Sequence, residues 1–227
     1  MGADGALIRL ADVTFRRNHH AGEGRPGAPV LDGLTLELRP GERTGLTGHN
    51  GSGKTTLLHL LVGLLLPESG SVEIFGRERR REEDFREVRR RMGLLFQDPE
   101  DQLFCPTVAD DVAFGPMNLG WDRARVREAV RDTLDRLGLR GFEERVTWRL
   151  SYGEKRLVSL AAVLAMQPEA LLLDEPTAGL DADVTERLTR IVSELPIPML
   201  VVSHDERFLS RVANRRLRLE NGRLAEA

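Results

Sequence analysis

The chain has 227 residues, enough for one large domain or a domain with a subdomain. It is 41% hydrophobic and 30% charged with a formal net charge of −3, a globular composition that supplies no bulk electrostatic pull toward nucleic acid. Cys105 is the only cysteine, which excludes an intrachain disulfide or a Cys-based metal cage, and the longest apolar run, near Leu57 to Leu66 and broken by His59, is too short to span a bilayer. No basic region followed by an apolar stretch opens the sequence, so no signal peptide is expected and the composition points to the cytoplasm.

In chain order, residues 7–15 alternate in strand fashion and 18–29 form a loop rich in Gly, Pro and His. Leu31–Leu38 and Arg43–Thr47 read as strands joined through Pro40-Gly41. A loop at 48–52 leads into a helix over 53–65, followed by a strand at 71–75. Residues 77–91 are charged at helical spacing, with eight arginines against five acids and Phe85 and Val88 as the apolar positions. Such a run reads as a solvated helix face. A strand at 92–96 ends at Gln97. Helices are expected at 107–114, 123–137 and 154–166, so residues 98–167 form a mainly helical insert. Residues 170–173 return as a continuous apolar strand suited to a parallel sheet. A helix at 181–194, a strand at Met199–Val202, a helix at Glu206–Val212 and a last strand at 215–219 follow, with a turn near Gly222. The expected fold class is α/β: a phosphate-loop core of residues 1–97 and 168–227 with a mainly parallel sheet, an N-terminal antiparallel β portion and the inserted helical subdomain.

Three segments carry chemistry. Gly48-His49-Asn50-Gly51-Ser52-Gly53-Lys54-Thr55 fits G-x-x-x-x-G-K-[ST] between a strand and a helix. Its glycines turn backbone N–H groups toward phosphate oxygens, the helix N-terminus adds partial positive charge, Lys54 neutralises β/γ-phosphate charge and Thr55 ligates Mg²⁺. Thr56 completes the phosphate-binding set. Only Lys54 and Lys155 are lysines in a chain whose other 31 basic residues are arginine. A compact ammonium at position 54 reaches between phosphates where a planar guanidinium fits poorly; Lys155 reads as a solvated helix charge. Leu171-Leu172-Leu173-Asp174-Glu175-Pro176 delivers two adjacent carboxylates to a strand end, where unpaired burial is costly. Asp174 suits a Mg²⁺ held through water and Glu175 a general base that polarises the attacking water. Leu150-Ser151-Tyr152-Gly153-Glu154 fits a capping box.

With the phosphate loop upstream and the carboxylate strand downstream, that last segment resembles the Leu-Ser-Gly-Gly-Gln segment of the ATP-binding-cassette (ABC) ATPases, departing from it at Tyr152 and Glu154. The resemblance covers nearly the whole chain. It implies that Ser151 and Gly153 contact the γ-phosphate bound by an opposite subunit, so the ATP-bound state is a homodimer. It further implies that Gln97 touches Mg²⁺ and the attacking water, that Asp181 of Ala178-Gly179-Leu180-Asp181 crosses the dimer interface, and that His204 hydrogen-bonds the γ-phosphate. Where the family stacks an aromatic residue on adenine, this chain has Arg17, which can stack through its guanidinium face; base selectivity is expected to be loose. The remaining histidines form no metal-ligand pattern.

Phe96-Gln97-Asp98-Pro99-Glu100-Asp101-Gln102-Leu103-Phe104 resembles energy-coupling-factor importer ATPases. Cys105-Pro106-Thr107-Val108, Asp111 to Pro116 and Asn118-Leu119-Gly120 resemble the cobalt/nickel branch, the CbiO/NikO type. This implies an ATPase (ATP and Mg²⁺) peripheral to the cytoplasmic face of the membrane. Its partners are membrane-embedded coupling and substrate-binding subunits, it drives uptake of cobalt or nickel, and it has no nucleic-acid partner. A soluble ABC ATPase of DNA repair or chromosome architecture, or an importer ATPase for a vitamin, stays open as the alternative, although no heptad run for a long coiled coil exists here.

Overall fold

The structure is a computed structural model that describes residues 5–17 and 27–227; most of the loop expected at 18–29 lies outside them. The N-terminal sheet contains β1 (Ile8–Phe15), β2 (Leu31–Leu38), β4 (Ser69–Ile74) and β5 (Arg77–Glu78). Its strands run antiparallel in the order β2-β1-β4-β5. The second sheet contains β3 (Arg43–Thr47), β6 (Met92–Leu95), β7 (Ala170–Asp174), β8 (Met199–Val202), β9 (Arg215–Glu220) and β10 (Arg223–Glu226), in the order β10-β9-β3-β8-β7-β6. It is parallel except for β10, which folds back antiparallel on β9. The helices are α1 (Lys54–Leu61), α2 (Phe85–Arg91), α3 (Val108–Asn118), α4 (Arg123–Arg136), α5 (Tyr152–Leu164), α6 (Ala182–Glu194) and α7 (Glu206–Val212).

The parallel sheet is buried on both faces, which is why β7 and β8 read as unbroken apolar runs. Strand alternation divides their side chains between two clusters. Leu171, Leu173, Met199 and Val201 pack with α3, α4, α5 and α6. Ala170, Leu172, Leu200 and Val202 pack with α1 and the antiparallel sheet. Phe15 is partly buried against this second cluster, because the irregularity at Asp12 (φ 51°) between Leu10 and Val13 shifts the alternation of β1 and turns Val13 and Phe15 to the same side as Ile8 and Leu10.

The helix expected over 77–91 begins only at Phe85. Arg77 and Glu78 instead close a hairpin onto Ile74 and Glu73, and Glu82–Asp84 form a single 3₁₀ turn. Arg79 explains the difference. It is buried, and its guanidinium donates to the Ile74 and Asp84 carbonyls and pairs with Glu87. A buried arginine with all three guanidinium nitrogens engaged pins the strand and the helix start together, and charge spacing alone does not reveal it. α5 starts two residues earlier than expected because Ser151 caps it. Ser151 Oγ accepts from Glu154 N (3.3 Å), and Glu154 returns a carboxylate oxygen to Ser151 N (2.8 Å).

Candidate active site

Four neighbouring parallel strands end side by side, and each feeds one piece of the site. β3 runs into the loop from Gly48 to Gly53 and then α1. β8 leads to Ser203 and His204, β7 to Asp174 and Glu175, and β6 to Gln97. The strand order β3-β8-β7-β6 therefore brings together residues far apart in sequence, at the carboxyl ends of strands where open α/β sheets hold ligands. A cleft of about 860 Å³ lies there. It is lined by Arg17, Val30, Asn50, Gly51, Ser52, Gly53, Lys54, Thr55, Thr56, Gln97, Asp174, Glu175, Thr177, Ala178, His204 and Asp205.

The loop requires glycine at its two ends. Gly48 sits at φ 148°, where a Cβ would meet the Leu219 carbonyl oxygen at 2.5 Å, and Gly53 at φ 103°, where one would meet Val30 at 2.9 Å. The turn brings Lys54 back over its own loop. Nζ donates to the carbonyls of Gly48 (2.6 Å) and His49 (3.1 Å) and lies 3.4 Å from His204 Nε2. Burial pulls the Lys54 ammonium below its usual pKa, opposed by Glu175 and Asp174.

Thr55 Oγ1 donates to Asp174 Oδ2 at 2.8 Å. Asp174 is 3% exposed, and burial raises its carboxyl above the usual range against the opposing pull of Thr55, His59, Arg156 and Lys54. Glu175 is also raised by burial. Its backbone is left-handed (φ 43°), a conformation that costs a side-chain-bearing residue roughly 1–3 kcal/mol. His204 N donates to Glu175 Oε2 at 3.2 Å, and its Nε2 lies 3.4 Å from Oε1 without a hydrogen bond. Ser52 Oγ, Asp174 Oδ1 and Glu175 Oε1 are buried atoms of residues that line this cleft, and they have no hydrogen-bond partner among the described residues. Two adjacent carboxylates with unpartnered oxygens beside a threonine hydroxyl form an oxygen-rich donor set that fits a hard divalent cation such as Mg²⁺.

Not every expected site residue meets in this cleft. Gly48 and His49 are not among the residues that line it; His49 is exposed, its Nδ1 lying 3.0 Å from the Asn50 carbonyl. Ser151, Gly153 and Asp181 lie outside it, at the starts of α5 and α6. Within one chain Ser151 and Asp181 cap those helices, and a Cβ on Gly153 would stand 3.1 Å from Val184. Tyr152 packs on the left-handed Gly179 (φ 72°), where a Cβ would come within 3.2 Å of its ring. The tyrosine thus joins its own segment to the loop from Ala178 to Asp181.

Two residues differ from the sequence reading. Lys155 is not a solvated charge: its side chain is 13% exposed and pairs with Glu100. Arg156 drew no reading at all, yet it is fully buried on α5. It donates to five carbonyls, those of Phe96, Gln97 (3.1 Å), Asp174 (2.8 Å), Glu175 (2.7 Å) and Pro176 (2.9 Å). The signal was present as an arginine opening the apolar run Leu157, Val158, Leu160 on a helix face that must face inward.

A glycine-rich strand–loop–helix cradle beside two strand-end carboxylates defines a phosphate-loop nucleoside triphosphatase. The family model described as ABC transporter matches residues 31–178, and the chain belongs to the ABC transporter family. It is 54% identical over 203 residues to a candidate ABC transporter ATP-binding protein of Brucella suis biovar 1 (89% of this chain, 84% of that protein). It is 43% identical to the energy-coupling factor transporter ATP-binding protein EcfA of Methanothermobacter thermautotrophicus (96% of this chain, 69% of that protein). Among solved structures it matches cbiO1 of Clostridium perfringens, described as part of the ABC transporter complex cbiONQ. The TM-score is 0.83 at 29% identity, covering 98% of this chain and 88% of that one. The protein is an ATPase of the ABC transporter type and works on ATP with Mg²⁺.

Proposed function

We propose that this protein is the ATP-hydrolysing subunit of an energy-coupling-factor importer that drives uptake of a transition-metal ion, cobalt or nickel, through membrane-embedded partners. The observation that carries the chemical part is the convergence of Lys54, Thr55, Asp174, Glu175, Gln97 and His204 at four adjacent strand ends. The EcfA relative and the cbiONQ membership of the matching structure support the importer part.

The backbone from Gly48 to Gly53 and the ammonium of Lys54 hold the β- and γ-phosphates. Thr55, Asp174 and Gln97 hold Mg²⁺, which supplies charge neutralisation on the phosphates when bound. Glu175 accepts a proton from the attacking water. Its raised pKa brings it closer to neutral pH, and His204 lies against its carboxylate to orient it and to reach the γ-phosphate. Ser151, Gly153 and Asp181, outside the chain's own cleft, are presented to the nucleotide of a second copy, so the ATP-bound state is a homodimer.

Residues 98–167 act as a helical subdomain that receives the membrane subunits. Phe104 and Trp148 are 66% and 65% exposed, whereas Leu103 packs inside. Phe104 meets Phe114 edge to face at 4.8 Å. Asp111 fixes this surface by accepting from Phe104 N, Cys105 N and Thr147 Oγ1. Exposed aromatics on a rigid frame suit a protein contact. No helix among the described residues is long and apolar enough to cross a membrane, and the proposed place is the cytoplasmic face, held there by the partners. The test is affinity purification of tagged protein from detergent-solubilised membranes, followed by ⁵⁷Co and ⁶³Ni uptake by the reconstituted complex. Co-purifying hydrophobic subunits and ATP-dependent metal uptake support the reading. Uptake of a vitamin instead, or recovery with no membrane partner, contradicts it.

A further inference from the structure

We propose that Arg156 is a positioning residue for hydrolysis: its buried guanidinium ties the Gln97 and Glu175 backbones to the helix that begins at Ser151, and so sets the base and the glutamine in register with that helix. The inference rests on the catalytic roles proposed above for Glu175 and Gln97.

The geometry gives the guanidinium two loops to hold. Nη1 donates to the carbonyls of Phe96 and Gln97 as the chain leaves β6. Nη2 donates to those of Asp174 (2.8 Å) and Glu175 (2.7 Å), and Nε to that of Pro176 (2.9 Å), as the chain leaves β7. Such a planar fork spreads five donors over three nitrogens and reaches all five carbonyls at once; an ammonium, with three donors on one nitrogen, cannot. Among the described residues no carboxylate is hydrogen-bonded to it. The charge is compensated by backbone oxygens, and burial lowers its pKa to about 10. Retaining a fully buried cation in this way is costly, so the placement needs a reason beyond packing. The reason lies at the left-handed Glu175, whose strained peptide has its N–H bonded to Val202 O (2.9 Å) and its carbonyl bonded to Arg156. The two bonds over-determine a conformation that an ordinary residue leaves, and that conformation directs the Glu175 carboxylate into the cleft. On the same helix, Tyr152 lies on Gly179 of the next loop, so α5 touches the chain leaving β6, the chain leaving β7 and the loop that follows.

The test is the full-length chain with Arg156→Lys and Arg156→Gln, measuring thermal unfolding, ATP affinity, and kcat and KM for Mg·ATP, with Glu175→Gln run alongside. The expectation is a folded Arg156→Lys whose ATP affinity stays within about 3-fold of wild type while kcat falls at least ~10-fold, a kcat-against-KM split that a packing defect does not produce. Lysine keeps the charge but restores only the fold. Wild-type kcat in either Arg156 variant overturns the inference. So does a parallel loss of binding and turnover, or failure of both variants to fold, since each makes Arg156 a residue of the fold alone. An active Glu175→Gln instead removes the catalytic reading on which the inference rests.

Discussion

Thr55 and Asp174 lie 119 positions apart in sequence, and a 2.8 Å hydrogen bond from the threonine hydroxyl to the carboxylate joins the phosphate loop to the end of β7. The second carboxylate oxygen, Oδ1, has no partner. Asp174→Asn keeps the shape and an acceptor for Thr55 but removes the negative charge offered to a cation. The Mg²⁺ concentration for half-maximal ATPase activity is expected to rise by roughly tenfold or more. ATP binding measured without Mg²⁺ stays near wild type. An unchanged Mg²⁺ requirement contradicts the assignment of Asp174.

Lys54 and His204 sit 3.4 Å apart but separate in function. Lys54→Ala removes the charge aimed at the β- and γ-phosphates, and ATP·Mg²⁺ affinity is expected to drop by about 10- to 100-fold. His204→Ala leaves binding largely intact and slows hydrolysis. A nucleotide titration together with a turnover assay on both variants checks this. Equal loss of binding and turnover in His204→Ala assigns the histidine to structure.

Burial raises the carboxyls of Asp174 and Glu175. The folded chain therefore holds these protons more tightly than the unfolded chain does. The stability these groups contribute is present below the ordinary carboxylate pKa and is lost as pH rises through their raised folded values. At pH 7 without nucleotide, Glu175→Gln is expected to melt a few degrees above wild type, a gap that closes on acidification toward pH 4. A variant that melts below wild type at pH 7 contradicts this.

Arg17 and Val30 line one part of the cleft, and Arg17 stands where an aromatic platform for the base is expected. Guanidinium stacking is worth ~1 kcal/mol and reads no base edge. GTP is expected to compete with ATP within about tenfold, and Arg17→Tyr to tighten ATP binding. Strong ATP preference with no response to Arg17→Tyr places the base elsewhere.

The site was legible because its residues work through local pattern. The loop from Gly48 to Thr55, the apolar strand ending in Asp174-Glu175, and a histidine after Met199–Val202 each declare a strand-end position, and parallel pairing brings them together. The hairpin at Arg77–Glu78 and the bracket around Arg156 were not legible. In both, a buried arginine satisfies backbone carbonyls, local ones for Arg79 and ones 18 to 60 positions away for Arg156, and no spacing rule separates it from the many exposed arginines of an arginine-rich surface. The Lys155–Glu100 pair was hidden because its partners lie 55 positions apart and meet only in the folded chain. Ser151 read equally as a helix cap and as a contact to a second copy, whereas the cap that Asp181 forms at the start of α6 was not anticipated.

The proposed mechanism rests on Glu175 as the base that activates water for ATP hydrolysis. The direct measurement is steady-state ATPase activity of Glu175→Gln beside its ATP affinity and its oligomeric state in ATP. Near wild-type affinity, turnover reduced by roughly two to four orders of magnitude and a stable ATP-bound dimer are expected. Near-normal turnover in Glu175→Gln would contradict that mechanism.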